Sequence, residues 1–307
     1  MGSDGQHKLP VLDFTKEDLK PGTNSWLSTC RSVRQAFEEH GCFVVVYDKA
    51  SDELRNGIFG HLKELFDLPT ETKRGNIYEG MPLKSYVGQN PNIPLHESMG
   101  IDEGTTLEGI QRFAEKMWPS GNHQFCKYLF EYAKLAEELD SMVARMIFES
   151  YGVLAYYDSY IGSTSYLLRL LAHKAPEQVE PQLGFLAHTD KSFTTILHQN
   201  HVNALMVETK NGNWIDVDFS SPTSFVVMAG DALMAWSNDR IKSPNHKVWM
   251  NGSETRYSLG LFAFSKGILQ VPEELIDEEH PLQYKPFDHL GLLNFTYVAN
   301  MKDYCGV

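Results

Sequence analysis

A change of texture near residue 160 constrains this chain more than any other feature of its sequence. Beyond that point short β-rich runs dominate, at 166–171, 194–197, 205–208, 214–217, 225–228, 233–236 and 257–264. Asn211-Gly212 lies between two of them and predicts a two-residue hairpin turn. Pro222, Gly230 and Asn251-Gly252 punctuate the rest. Short strands at regular spacing, with turn residues between them, point to an all-β sandwich or barrel.

Ahead of residue 160 the patterning is mainly helical. A strand-like start at 9–14 precedes a helix over 26–40, with Trp26, Val33 and Phe37 on its apolar side and Gly41 as C-cap. The β-branched run 42–47 reads as a buried strand, and Ser51 caps a second helix that ends near Asp67-Leu68-Pro69. The longest helical signal, 123–151, carries Phe125, Tyr128, Leu129, Tyr132, Leu135, Leu139, Met142, Val143 and Met146 at three- and four-residue steps, a core stripe. Residues 75–104 are rich in Gly, Pro and Asn and read as a long loop, either a lid over a pocket or a surface excursion. The expected organisation is α+β with a mainly β core, a helical N-terminal part clasping a β-rich C-terminal part.

Composition excludes several function classes. The 27 Lys and Arg against 40 Asp and Glu give a net charge of −13, which repels phosphate backbones, so no nucleic-acid partner is expected. No run of 18 apolar residues exists, so no membrane span is expected. The first ten residues lack an apolar signal region, Gln6 breaks the myristoylation pattern after Gly2, and Cys305 stands third from the end, where prenylation needs the fourth. Cys30, Cys42, Cys126 and Cys305 are widely spaced and read as reduced thiols of a cytosolic protein. The sequons at Asn251 and Asn294 are then chance matches. A monomer is expected.

The β-rich part holds His188-Thr189-Asp190. On a strand or its extended end, residues two apart share a face, so His188 and Asp190 can present a nitrogen and a carboxylate oxygen to one metal. His-x-Asp triplets are common, and two ligands are too few. His246 opens another β run 58 residues on and supplies a third. Two imidazoles and one carboxylate on one face of iron leave three positions open, as in the non-haem Fe(II) facial triad. The remaining histidines, His96 among them, lack such partners and read as surface or core groups. Arg256 and Ser258 follow His246 at ten and twelve residues and again share a face. The guanidinium fork matches a carboxylate bidentately, and the hydroxyl adds a third hydrogen bond, an anchor for the far carboxylate of a 2-oxo diacid. A rim salt bridge is the alternative for Arg256. The apolar run after it argues for burial, and a buried charge needs a partner.

The set His188-x-Asp190, His246, Arg256-x-Ser258 resembles the plant soluble family of Fe(II)/2-oxoglutarate-dependent dioxygenases, and within it the AOP-like branch. The similarity runs along nearly the whole chain. Leu9-Pro10-Val11-Leu12-Asp13-Phe14, Glu39-His40-Gly41-Cys42-Phe43, Glu64-Leu65-Phe66-Asp67-Leu68-Pro69 and Glu97-Ser98-Met99-Gly100-Ile101 carry it in the first half. Asp277-Glu278-Glu279-His280-Pro281-Leu282 and Lys285-Pro286-Phe287 carry it near the end. The resemblance implies a double-stranded β-helix, or jelly roll, flanked by helices. It divides the chain into a helical N-terminal region, 1–155, of the non-haem dioxygenase type and a catalytic core with C-terminal extension, 156–307, forming one compact unit. It implies Fe(II) as metal, 2-oxoglutarate and O2 as co-substrates and ascorbate as reductant. The co-products would be succinate and CO2, and the product an oxidised, first of all hydroxylated, small specialised metabolite. Desaturation, cyclisation and dealkylation stay open.

One departure stands out. Many relatives carry Asn-x-Tyr where this chain has Leu171 and His173, and that Tyr contacts the co-substrate carboxylate. Either His173 donates in its stead or the contact is missing. Related halogenases replace the metal-binding carboxylate with a small residue, whereas Asp190 is retained, which disfavours halogenation. Phe262 and Phe264, just past the Arg-x-Ser pair, are candidates to line the substrate pocket, with Phe193 and Tyr86 beside them; core packing is the alternative for each. Two rival readings are a catalytically silent relative acting as a metal- and ligand-binding module, and a zinc hydrolase or lyase. Intact ligands weigh against the first. The second lacks an HExxH base motif and leaves Arg256-x-Ser258 unexplained.

Overall fold

The computed structural model describes residues 8–294 and 301–307, apart from 80, 82, 178, 179 and 220. Gly2, Gln6 and most of the second sequon lie outside the described residues.

Side-chain caps set the helices of the first half. Thr23 accepts from the Trp26 N–H at 3.1 Å to start α1, Asn24–His40. Gly41 ends it in the left-handed region at φ 72, donating to the Phe37 carbonyl at 2.9 Å. Ser51 caps α2, Asp52–Asp67, and Pro69 leads into the short α3, Thr70–Arg74. Thr106 caps α4, Leu107–Met117, which the sequence reading passed over. Asn122 caps α5, His123–Ser150, whose predicted apolar stripe is buried except for the half-buried Tyr128 and Met142. The chain then turns through α6, Tyr157–Ser163, into the sheets.

The strands of the two main sheets are β1 Val11–Asp13, β2 Cys42–Val46, β3 His96–Ile101, β4 Thr164–His173, β5 Gln182–His188, β6 Thr194–Gln199, β7 Leu205–Glu208, β8 Trp214–Asp216, β9 Ser224–Ala229, β10 His246–Met250 and β11 Arg256–Ser265. Seven of them form a sheet in the order β1-β2-β9-β6-β11-β4-β3, and four form a second sheet, β5-β10-β7-β8. All pairings are antiparallel except β1 with β2. The result is a mainly β core of the double-stranded β-helix type with N-terminal helices. Three strands of the large sheet come from the first 101 residues, so the helical part is woven into the core.

Alternation gives the large sheet two different faces. Leu259, Leu261 and Ala263 of β11, Leu168 and Leu170 of β4, and Phe225 and Val227 of β9 join the helices in one large apolar cluster. The opposite residues point toward the small sheet. Near β2 and β9 that inner space is apolar, filled by Cys42, Val44, Leu205, Val207, Val226 and Met228. Toward β4 and β11 it turns polar, with His173, Arg169, Arg256 and Ser258 all buried.

Several local expectations are corrected. Residues 233–236 are not a strand but part of α7, Asp231–Trp236. A four-residue apolar run carries too little periodicity to separate strand from helix, and Ala, Leu and Met here follow Gly230 as N-cap. The 75–104 segment is not structureless, since it contains β3. Asn76 Nδ2 ties its turn down by donating to the carbonyls of Lys84 and Gly100 at 3.0 and 3.1 Å. A Cβ at Gly100 would lie 2.6 Å from the Leu83 carbonyl oxygen, so glycine permits that close approach. The hairpin joins β7 and β8 as expected, but through 209–213, with Gly212 at φ 79 and its N–H on the Thr209 carbonyl. All four cysteines are buried free thiols. Among the described residues no helix is long and apolar enough to cross a membrane.

Phe193 proves to be core. It is fully buried against Tyr160, Trp236 and Phe148, with ring centroids 4.5, 5.6 and 6.3 Å away. Phe193→Ala should lower unfolding free energy by about 3–5 kcal/mol in denaturant titration. A loss below about 1 kcal/mol would mean that the packing is not as described.

Candidate active site

The small sheet delivers the two imidazoles. His188 ends β5, His246 begins β10, and antiparallel register sets them opposite each other, with ring centroids 4.2 Å apart. His188 Nδ1 faces the Leu186 carbonyl at 2.8 Å and His246 Nδ1 the Pro244 carbonyl at 3.1 Å. Those carbonyls only accept, so each ring carries its proton on Nδ1 and offers a bare Nε2. Asp190 follows β5, and its Oδ1 lies 3.7 Å from His188 Nε2 and 3.8 Å from His246 Nε2. The three ligand atoms fall within 4.8 Å of one another, forming a set that could hold a metal ion.

Surrounding groups aim these ligands. Asp190 Oδ2 accepts from Thr195 Oγ1 at 2.8 Å, and the Asp190 carbonyl accepts the Asp231 N–H at 2.7 Å. The Asp231 carboxylate in turn holds Lys191 at 2.5 Å and Thr189 at 3.3 Å. Residues on both sides of Asp190 are thus pinned to the start of α7. Burial, then the neighbouring His246, pulls the His188 imidazole down to about 4, favouring the neutral form a metal needs.

The large sheet delivers the cations. Arg256 lies opposite His173, and Ser258 opposite Leu171, in the β11–β4 register. Arg256 is 2% exposed, yet among the described residues no carboxylate meets it. Its Nε donates to Gln199 Oε1 at 2.8 Å, and its Nη1 to Ser258 Oγ at 3.0 Å and His173 Nδ1 at 3.4 Å. Arg169, two positions before Leu171 on the same face of β4, is 9% exposed and donates from Nη2 to Ser98 Oγ at 2.7 Å. Burial lowers both guanidiniums to about 10, still fully charged at neutral pH.

A chain of neutral groups joins the two cations. His96 Nδ1 meets His173 Nε2 at 3.0 Å, and His96 Nε2 meets Ser98 Oγ at 3.0 Å. Guanidiniums only donate, so His173 must accept at Nδ1 and donate from Nε2 to His96, which then donates to Ser98. Burial is the first cause that keeps both rings neutral, His173 well below its ordinary range and His96 down to about 3. Both nitrogens of His173 are therefore engaged within the protein, and it has no donor left for a co-substrate.

A cavity of about 590 Å3 opens over the metal-ligand set. Phe262 and Phe264 line it, with Leu83, Leu167, Val87 and Phe185. Tyr86 does not: its hydroxyl donates to Glu97 Oε2 at 3.1 Å, in a cluster with Lys73 and Lys174. Phe193 does not line it either. Arg256 and Ser258 lie outside its walls and connect to it through His173 and His96. His96, Arg169, Thr195 and Gln199 were missed by sequence reasoning. Their signal was parity: His96, Ser98 and Gly100 alternate toward Arg169, as Thr195 and Gln199 alternate toward Asp190 and Arg256.

The model of the 2OG-Fe(II) oxygenase superfamily matches residues 155–265, and that of the N-terminal region described as non-haem dioxygenase in morphine synthesis matches 9–92. A probable 2-oxoglutarate-dependent dioxygenase of Arabidopsis thaliana, AOP1.2, is 42% identical over 94% of this chain and 90% of its own length. The chain belongs to the 2-oxoglutarate-dependent dioxygenases. Among solved structures, the rice dioxygenase for auxin oxidation superposes with a TM-score of 0.81 at 25% identity, covering 98% of this chain and 100% of that one. The 2-oxoglutarate complex of the Arabidopsis thaliana enzyme for auxin oxidation gives 0.79 at 25%, covering 89% and 99%. As an enzyme of this family the protein uses Fe(II), 2-oxoglutarate and O2.

The buried imidazoles make stability depend on pH. His96, His173, His198 and His289 all have pKa values pulled far down by burial. The unfolded chain takes up protons near 6.5 and the fold does not, so stability is present above that pH and lost as pH falls toward 4. Asp140, raised to about 6 by burial, works the other way, but it is one group against four. Denaturant midpoints of metal-free protein should fall from pH 7 to pH 5, each imidazole contributing about 1.4 kcal/mol per pH unit. A flat or rising profile would contradict the neutral relay.

Proposed function

We propose that this dioxygenase oxidises a C–H bond of a small specialised metabolite, hydroxylation first, while 2-oxoglutarate is converted to succinate and CO2. The observation that carries the reading is the convergence of two bare imidazole nitrogens and a carboxylate oxygen beside an aromatic-walled cavity, with the buried Arg256 guanidinium nearby, which no carboxylate meets among the described residues.

The donor set fits iron. His188, Asp190 and His246 would hold it on one face, each orientation fixed by the carbonyl, hydroxyl and N–H contacts described above. Bound there, Fe(II) supplies the redox chemistry that couples O2 to co-substrate decarboxylation and C–H cleavage. Arg256 and Ser258 would anchor the far carboxylate of 2-oxoglutarate. His173 would position Arg256 by accepting from it, a contact that supports reading its departure from the usual Tyr as a supporting role. Phe262 and Phe264 would seat the substrate body and keep water out. Ascorbate would serve as reductant. We further propose that 1–155 and 156–307 work as one unit, a reading supported by the strands that the first region lends to the large sheet. Four free thiols suit a cytosolic monomer, and the net charge of −13 argues against nucleic-acid partners.

Two variants test the assignment. Asp190→Ala should purify without bound iron by metal analysis and release no succinate, because the set has no spare ligand. Arg256→Lys should raise the KM for 2-oxoglutarate roughly tenfold, since an ammonium cannot reproduce the fork. Full activity in the first, or an unchanged KM in the second, would remove the corresponding residue from its role.

A further inference from the structure

If the reading above holds, one charge at the cavity has no counterpart. With iron and co-substrate in place, the ion's two positive charges, the single negative charge of Asp190, the two negative charges of 2-oxoglutarate and the positive charge of Arg256 cancel. Lys191, which also lines the cavity, is neutralised by Asp231 at 2.5 Å. Arg169 remains.

Its surroundings are those of a binding group. Arg169 lines the cavity and is 9% exposed. Among the described residues it makes one hydrogen bond, to Ser98, and no ion pair, and its buried Nε has no partner. On β4 it sits between Gly100 of β3 and Gly260 of β11, so no neighbouring side chain covers it within its register row. The one charge this guanidinium feels is that of Asp190, which faces the metal position, so an anionic ligand would offset the cost of burying it.

We propose that Arg169 binds the carboxylate of the primary substrate, and that this substrate is a small monocarboxylic acid with an apolar body. The guanidinium fork matches a carboxylate in plane. Leu83, Val87, Leu167, Phe262 and Phe264 form the apolar walls for the body. One positive charge calls for one negative charge. A phosphate monoester would bring a second with nothing to meet it, and a neutral substrate would leave the guanidinium unpaired. Ser98, accepting from both Arg169 and His96, holds the fork while the neutral His96–His173 pair separates it from Arg256. The two cations are thus kept for two different carboxylates.

Calorimetry on wild-type protein loaded with Fe(II) and 2-oxoglutarate without oxygen tests this. The ligands are 3-phenylpropanoate, 4-phenylbutanoate and octanoate, each beside its primary amide. At least one acid should bind ten times more tightly than its amide, and Arg169→Gln should bring that ratio near one, with Arg169→Lys in between. Amides equal to acids, or no acid bound at all, on protein that still binds 2-oxoglutarate, would overturn this proposal and leave the parent reading standing. Absence of 2-oxoglutarate binding in the wild type would instead overturn that reading and this one together. If Arg169→Gln weakens 2-oxoglutarate while the acid-to-amide ratio persists, Arg169 belongs to the co-substrate and the proposal is wrong. Should the variants not fold, the wild-type ratio alone decides.

Discussion

The register between β11 and β4 is the constraint on which the rest depends. It pairs Arg256 with His173, Ser258 with Leu171, Gly260 with Arg169 and Phe262 with Leu167, and every one of these faces the small sheet. Slipping one strand by a single residue would turn the guanidinium toward the helices and bring Leu259 or Leu261 into the site. The helix side is a largely apolar cluster in which the one carboxylate from α5, Asp140, is already met by Tyr166 and Thr194, so burial enforces the register over ten residues. The shorter pairing of β5 with β10 does the same for the two imidazoles. It places His188 opposite His246, and the bend after β5 brings Asp190 to both.

The inner space between the sheets is divided by polarity. One end is sealed by aliphatic side chains of β2, β7 and β9, the other holds two guanidiniums, four imidazoles and a carboxylate. Polar groups are tolerated there because nearly all of them bond to one another in a fixed direction. Arg256 donates to His173, His173 to His96, His96 to Ser98, and Arg169 meets the same serine from the other side. The direction follows from the cations, which cannot accept. A tyrosine at position 173 would offer one hydroxyl where this chain needs an acceptor on one side and a donor on the other.

Much of this was legible in the sequence. The spacing of His188 and Asp190, with His246 opening a second β run, pointed to the cluster that the structure brings within 4.8 Å, and Arg256 and Ser258 share a strand face as their spacing implies. The long α5 stripe and the caps at Ser51 and Gly41 announced themselves through periodicity and cap chemistry. What escaped was long-range. Nothing near Phe193 in sequence reveals Tyr160, Phe148 and Trp236 closing around it. Tyr86 lies in the segment that forms a wall of the cavity, but Glu97 draws its hydroxyl away, while Leu83 and Val87 face inward. His96 looked isolated because its imidazole partner, His173, is 77 residues away on β4. Residues 233–236 were too short a run for periodicity to separate helix from strand.

Everything in this reading turns on iron held by His188, Asp190 and His246 beside a 2-oxoglutarate site. Anaerobic titration of the metal-free protein with Fe(II) and 2-oxoglutarate, followed in the visible spectrum and then by succinate analysis after air is admitted, tests it most directly. A weak charge-transfer band that saturates at one iron per chain, bleaches in air and yields succinate is the predicted result. A folded protein that shows no band and releases no succinate would contradict the account.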